Sequence, residues 1–292
     1  MPPDNSLPTQ KVRAEVVHLS QNEKMSLLKS VPITSVPTAP PPDFKLLGCA
    51  ECRNGEALGF DFTMALQPIV NIKTKTVFAY EALVRGLGGE SAATVLGRIS
   101  EENRYRFDQS CRVKAVELAS RLGLLTYLSI NFMPNAVYRP ELCIRTTLEA
   151  AERYNFPASG LIFEFTEDEQ LKDTAHLKAI VEHYRKQGFL TAIDDFGAGY
   201  ARFDLLYEVP TDIVKFDMAL TRGIDKDPRR RTIVQHNIRM LEGLSVRVVA
   251  EGIETREEMQ VLRDLGVDLM QGYYFARPAL ERADFVDFTD LL

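Results

Sequence analysis

Short apolar runs recur along this chain, spaced by longer stretches in which apolar residues return every three or four positions. The runs are Tyr127-Leu128-Ser129-Ile130, Leu161-Ile162-Phe163, Leu190-Thr191-Ala192-Ile193, Asp212-Ile213-Val214 and Val246-Arg247-Val248-Val249-Ala250. Runs of this length without polar alternation read as strands buried on both faces, and the intervening period reads as helix. The pattern predicts strands over Thr63–Val70, Val77–Val84, Thr126–Asn131, Leu161–Phe165, Leu190–Asp194, Ile213–Phe216, Arg247–Glu251 and Leu269–Tyr273. Helices are predicted near 91–101, 105–122, 141–154, 173–187, 202–207, 229–242 and 255–265. Gly123, Gly188, Gly243 and Gly266 follow four of them, where a left-handed cap residue is expected. Thr255-Arg256-Glu257-Glu258 has the spacing of a capping box. Strands alternating with helices in this number predict an α/β fold, a (β/α)8 TIM barrel. The link Ile69–Val77 is too short for a crossover helix. The first two strands are therefore a hairpin, and the barrel is a modified one with one antiparallel strand.

Residues 1–45 break the pattern. They hold Pro2, Pro3, Pro8, Pro32, Pro37, Pro40, Pro41 and Pro42, over half of the 15 prolines, and read as a flexible tail. Between the prolines, 11–29 has a loose apolar face from Val12, Val16, Leu19 and Leu27, enough for one helix. Residues 46–292 are then one barrel domain, a length such barrels use as a single unit.

Bulk composition narrows the function classes. Apolar residues at 45% and charged residues at 26% are ordinary for a globular protein. A net charge of −6 argues against broad DNA or RNA binding, though a local basic rim can still take a phosphate. No apolar stretch approaches the roughly 20 residues that span a bilayer. The N-terminus lacks the basic-then-apolar signature of secretion. A cytoplasmic protein away from membranes is expected. Of the four cysteines, Cys49, Cys52, Cys111 and Cys143, only Cys49-Ala50-Glu51-Cys52 has a suggestive spacing, and a lone C-x-x-C is compatible with zinc, redox or inert thiols.

Each of the five runs ends on a charged residue or an amide: Asn131, Glu164, Asp194-Asp195, Lys215 and Glu251. In a parallel barrel the C-terminal strand ends converge on one mouth, where reactive sites sit. Carboxylates gathered there repel one another unless cations lie between them. Glu81 sits in a run otherwise suited to burial, and Arg85 lies four residues on, on the same strand face. Asp194-Asp195-Phe196-Gly197-Ala198-Gly199 pairs two acids with glycines that let a loop approach a ligand closely. Gln271 offers an uncharged donor and acceptor at the last strand. Singly, each has a plain alternative: Glu81 an outward acid, Asn131 a turn residue, Lys215 a snorkelling cation. Their shared address is the informative part, and it asks for metal.

Glu81-Ala82-Leu83 with Arg85, Gln67-Pro68-Ile69, Asn131, Glu164-Phe165-Thr166-Glu167, Asp194-Asp195-Phe196-Gly197, Val214-Lys215-Phe216-Asp217, Ala250-Glu251-Gly252-Ile253-Glu254 and Gln271-Gly272-Tyr273 together resemble the EAL-domain family. Its members are bacterial phosphodiesterases that linearise cyclic di-GMP. The resemblance runs from about Phe60 to Phe285 with the motifs in family order, and its barrel with one antiparallel strand agrees with the hairpin above. It implies that Glu81, Asn131, Glu164 and Asp194 hold one Mg²⁺ or Mn²⁺, and that Asp194, Asp195 and Glu251 hold a second. Lys215 would contact the attacking water, Gln271 would fix the metal and water shell, and Glu167 would brace the Asp194 loop. Gln67, Arg85 and Asp217 would meet the substrate, Arg85 at a phosphate. Two such ions lower the pKa of a shared water and place it in line with the scissile phosphate. Linear pGpG is the expected product, and a two-fold homodimer the expected assembly.

Departures from the family pattern fall outside the expected ligands: Gly86 where tryptophan is frequent, Ala198 where threonine is frequent, and Ala201-Arg202 where small polar residues are usual. Two other readings stay open at this point. One is a silent receptor of the same fold that binds cyclic di-GMP or a protein. The other is an unrelated barrel enzyme acting on a small phosphorylated metabolite.

Overall fold

The computed structural model describes residues 58–137, 139–166, 174–199 and 203–289. The expected tail over 1–45, its helix over 11–29, the Cys49/Cys52 pair and Glu167 lie outside the described residues. In chain order the elements are β1 (Thr63–Asn71), β2 (Thr76–Arg85), α1 (Ala92–Leu96), α2 (Arg104–Arg121), β3 (Tyr127–Asn131), α3 (Pro140–Cys143), α4 (Arg145–Arg153), β4 (Leu161–Thr166), α5 (Thr174–Lys186), β5 (Leu190–Phe196), α6 (Phe203–Glu208), β6 (Ile213–Phe216), α7 (Met218–Thr221), α8 (Pro228–Gly243), β7 (Arg247–Ala250), α9 (Arg256–Asp264), β8 (Leu269–Met270) and β9 (Ala279–Leu280).

Eight strands close into a barrel in the order β1 to β8, with β8 returning to β1 and β9 added beside β1. Strands β2 to β8 run parallel, and β1 is antiparallel to both of its barrel neighbours. The hairpin is local chemistry: Asn71 Oδ1 accepts from the Lys73 and Thr74 amides at 3.0 Å each, an Asx turn that reverses the chain before β2.

Parity along the strands then separates two cores. Residues of β4 alternate, with Phe163 and Phe165 turned outward among Phe132, Tyr184 of α5 and Phe189. Inside the barrel, Ile69, Ala79, Ile162, Ala192, Ile213, Val249 and Leu269 form a separate apolar cluster. Two residues further along six of the seven parallel strands, the same face carries Glu81, Glu164, Asp194, Lys215, Glu251 and Gln271. On the antiparallel β1 the step runs backwards, from Ile69 to Gln67. The site therefore rests on a single apolar layer, one pleat above it.

Several boundaries differ from expectation. The helix expected over 91–101 closes after Leu96, where Gly97 N bonds back to Ala93 O. Gly123, Gly188 and Gly266 take the left-handed conformation at φ +66°, +85° and +95°, but Gly243 is the last residue of α8 and Ser245 takes that role at φ +60°. The last barrel strand is Leu269–Met270 rather than Leu269–Tyr273. The reason is β1, which is longer than its partner: β8 pairs with Val70 and Asn71, the chain loops out, and β9 returns to pair with Ala65 and Leu66. The capping box of α9 is present as expected, with Thr255 and Glu258 bonding reciprocally. Among the described residues no helix is long and apolar enough to cross a membrane.

Candidate metal centre

At the C-terminal mouth, Lys215 Nζ sits among four carboxylates. It lies 3.3 Å from Glu81 Oε2, 2.9 Å from Glu164 Oε2, 3.0 Å from Asp194 Oδ1 and 2.7 Å from Glu251 Oε1. Glu81 also accepts from Asn131 Nδ2 at 3.0 Å and from Gln271 Nε2 at 2.8 Å, and Gln271 reaches Gln67 Oε1 at 3.2 Å. Residues from all eight barrel strands or their ends thus meet within hydrogen-bond reach. All but Glu164 line a cavity of about 550 Å³ that also takes in Asp195, Asp217, Arg222, Glu254 and Tyr273.

Asp195 reaches this cavity through a local irregularity. In a regular strand neighbouring side chains point to opposite faces, so Asp194 and Asp195 could not both look into the barrel. Strand β5 slips register against β6 between Ile193 and Phe196, and Asp195 adopts φ +56°. Aspartate tolerates that left-handed conformation better than most residues. The Asp195 amide donates to Asp194 Oδ1 at 3.0 Å, which helps hold the bend. The last ligand loop is set by close backbone approach. A Cβ on Gly272 would lie 2.1 Å from Ile253 O and 2.3 Å from Ile253 N, so only glycine lets the Gln271 turn pass the loop after Glu251.

The electrostatics depart from those of an ordinary surface. Burial, opposed by Lys215 and aided by Glu81 and Asp194, pushes the Glu164 carboxyl up to about 8. Burial and Asp194 push Asp195 up to about 6. Asp194 and Glu251 are raised as well, chiefly by burial. Glu81 is also buried, but Lys215, Gln271 and Asn131 favour its charged form and hold it below the ordinary glutamate value. Burial alone would lower the Lys215 ammonium, yet the surrounding acids keep it charged, well above its usual range.

Two triads of carboxylates, Glu81–Glu164–Asp194 and Asp194–Asp195–Glu251, bring ligand oxygens within 4.8 Å of one another and share Asp194. With all five carboxylates ionised, one ammonium would leave four negative charges, which two divalent cations would offset. Gln271 Oε1 is buried with no hydrogen-bond partner among the described residues, an acceptor left for a water or a cation. All donors are oxygens, the set preferred by Mg²⁺ and Mn²⁺ over softer metals. The residues present fit a two-cation centre.

A model of the EAL domain matches residues 56–278. The chain belongs to the EAL-domain family. An EAL protein of Vibrio cholerae, described as standalone and versatile and solved in its c-di-GMP-bound form, is 54% identical with a TM-score of 0.78, and the match covers 80% of this chain and 100% of that one. BlrP1 of Klebsiella pneumoniae, solved as a manganese and cyclic di-GMP complex, is 34% identical with a TM-score of 0.71, over 75% of this chain and 56% of that one. Among curated relatives, the cyclic di-GMP phosphodiesterase PA2567 of Pseudomonas aeruginosa is 29% identical over 77% of this chain and 40% of its own length. The antirepressor BluF of Escherichia coli is 28% identical over 74% of this chain and 54% of its own. The chain thus spans about half or less of the curated relatives named here.

Of the residues singled out from sequence, Gln67, Glu81, Asn131, Asp194, Asp195, Lys215, Asp217, Glu251 and Gln271 line the EAL cavity, and Glu164 lies beneath it on Lys215. Asp217 caps α7, accepting from Ala219 N at 2.7 Å. Arg85 does not line the cavity; its guanidinium donates to Val84 O at 2.7 Å. Two participants were missed. Ser129 donates to Glu164 Oε1, and its place two residues before Asn131 on the same strand face was a usable signal. Arg222 bridges Glu254 Oε2 at 2.8 Å and Gly252 O at 3.1 Å, tying the α7 end to the loop after β7. Nothing in its local sequence announced that.

Proposed function

We propose that this chain hydrolyses cyclic di-GMP to linear pGpG in a metal-dependent reaction. The observation that carries the reading is the convergence of a complete donor set, five carboxylates with Asn131, Gln271 and Lys215, on one cavity at the barrel mouth. Its likeness to EAL proteins solved with the cyclic dinucleotide supports that substrate class.

Glu81, Asn131, Glu164 and Asp194 would hold one Mg²⁺ or Mn²⁺, and Asp194, Asp195 and Glu251 the other. When bound, the pair lowers the pKa of a shared water and offsets charge on the phosphoryl oxygens. The chain's own groups do the positioning. Lys215 keeps four acids in register and offers a donor to the attacking water. Gln271 and Asn131 hold Glu81 in one orientation, and Ser129 does the same for Glu164. The water oxygen forms a bond to phosphorus, the bond from phosphorus to the sugar 3′ oxygen breaks, and that oxygen leaves with a proton. Gln67, Arg85 and Asp217 are assigned to substrate, and Glu167 to bracing the Asp194 loop. The reading also carries a cytoplasmic location and pairing as a two-fold homodimer.

A second reading has a specific observation behind it, the match to BluF, which is named as a blue light- and temperature-regulated antirepressor. On that reading the barrel binds ligand or protein without turnover. Purified protein incubated with cyclic di-GMP and Mg²⁺ or Mn²⁺, with a chelator control, separates the two. Linear dinucleotide formed only with the cation supports the enzyme. Ligand binding with no product after long incubation rejects it in favour of the receptor.

A further inference from the structure

Helix α2 holds a buried ion pair outside the cavity. Arg112 is 0% exposed and Asp108 2%, one helical turn apart and in direct contact. Burying two charges is costly, and apolar pairs of similar volume stabilise a core as well or better. This pair is also incompletely satisfied, since Arg112 Nε has no partner among the described residues and Nη1 reaches Tyr184 Oη only at 3.4 Å. Stability alone is a poor account of it.

The contact that an apolar pair could not make lies elsewhere. Asp108 Oδ1 accepts the Met133 amide at 2.9 Å, two residues past Asn131. The sheet ladder runs out there: Phe132 N still bonds Glu164 O at 2.9 Å, and Met133 N is the next amide to turn outward toward α2. Asp108 also borders an apolar cavity of about 510 Å³ that shares Leu83, Asn131 and Thr166 with the acidic one. Phe132 anchors that strand end against Phe163, Phe165 and Tyr184, while Met133 and Asp108 face the open space.

We propose that Asp108, clamped by Arg112, is a positioning residue for Asn131: its carboxylate fixes the backbone just beyond β3 and so aims the Asn131 side chain at Glu81 and the metal centre. The inference rests on the metal-dependent reading above. Groups that orient a ligand from behind typically contribute 10–100-fold to metal affinity. The test is Mn²⁺ titration of the full chain, followed by electron paramagnetic resonance of the free ion, with far-UV circular dichroism confirming the fold.

The variant Asp108→Leu/Arg112→Met removes both charges and the acceptor, and is expected to fold and to bind Mn²⁺ about 10–100-fold more weakly. The variant Asp108→Asn/Arg112→Met keeps an oxygen for Met133 N–H and is expected to recover most of that loss. In an Asn131→Ala background the leucine/methionine change is expected to add little, because the two act through one group. Affinity within about twofold of wild type in the leucine/methionine variant, an asparagine variant as weak as the leucine one, or full additivity with Asn131→Ala each overturns the inference. If the leucine variant does not fold, Asp108→Thr/Arg112→Met, too short to reach the amide, replaces it with the same readings. A wild-type chain that takes up no Mn²⁺ rejects the metal centre itself, which is a different result.

Discussion

Glu258 offers a sharp test of how the loop after β7 is held. Its side chain is 3% exposed and accepts three backbone amides: Gly223 N at 2.8 Å, Glu254 N at 2.9 Å and Thr255 N at 3.2 Å. It thereby joins the end of α7 to the turn that follows Glu251. Replacing it with alanine leaves three donors without that acceptor. Hydrogen bonds to a charged group contribute about 1.5–3 kcal/mol each, and bonds sharing one carboxylate are not additive, so the expected cost is about 3–5 kcal/mol. For a domain of this size that lowers Tm by about 6–20 °C. Far-UV circular dichroism in urea measures it directly; the chain has no tryptophan to report by fluorescence. The exposed neighbour Glu257→Ala is the control, expected within about 0.5 kcal/mol of wild type.

Burial raises the Glu258 carboxyl, but the three amides outweigh it and hold its pKa below the ordinary glutamate value. A depressed folded-state pKa gives stability that is present above the unfolded value and lost as pH falls through the folded one. The gap between wild type and Glu258→Ala therefore narrows below about pH 4. A cost under about 1 kcal/mol at pH 7, or a gap that widens in acid, refutes the reasoning.

Three further outcomes are expected. In turnover assays with cyclic di-GMP, Glu81→Ala and Asp195→Asn each lose several kcal/mol of transition-state stabilisation, and near-normal rates in either would contradict the site assignment. In chelator, Tm falls between pH 5 and 7, because Glu164 at about 8 stays protonated when folded and ionises when unfolded, a loss of about 2 kcal/mol from that group alone. Mn²⁺ then stabilises more strongly at pH 8 than at pH 6, and a Tm that is flat in chelator and equally raised at both counts against the cluster. Gly272→Ala places a methyl group on the Ile253 backbone and is expected to destabilise by about 3 kcal/mol or more in thermal melts, with an unchanged Tm as the contrary result.

Much of the architecture was legible because parallel strands buried on both faces announce themselves as unbroken apolar runs. The polar residue that ends each run was visible for the same reason. Its inward orientation was not: Phe163, Glu164 and Phe165 carry no alternation that tells inside from outside. Asp195 shows another limit, since two adjacent acids cannot share a strand face, and the slip that lets them do so depends on pairing with β6. The short β8 and the added β9 depend on the excess length of β1, a property of the partner strand. Gly243 was a reasonable cap on local grounds, but α8 continues through it and Ser245 makes the reversal. Arg222 and Asp108 act across long sequence separations, where neither period nor motif gives a signal.

The apolar layer formed by Ile69, Ala79, Ile162, Ala192, Ile213, Val249 and Leu269 makes the barrel a cup with a sealed bottom. Traffic is consequently two-way through one opening. On the proposed activity, a product must clear the doorway before the next substrate enters, so one that lingers would act as a plug and its departure would bound how often the cup can be refilled.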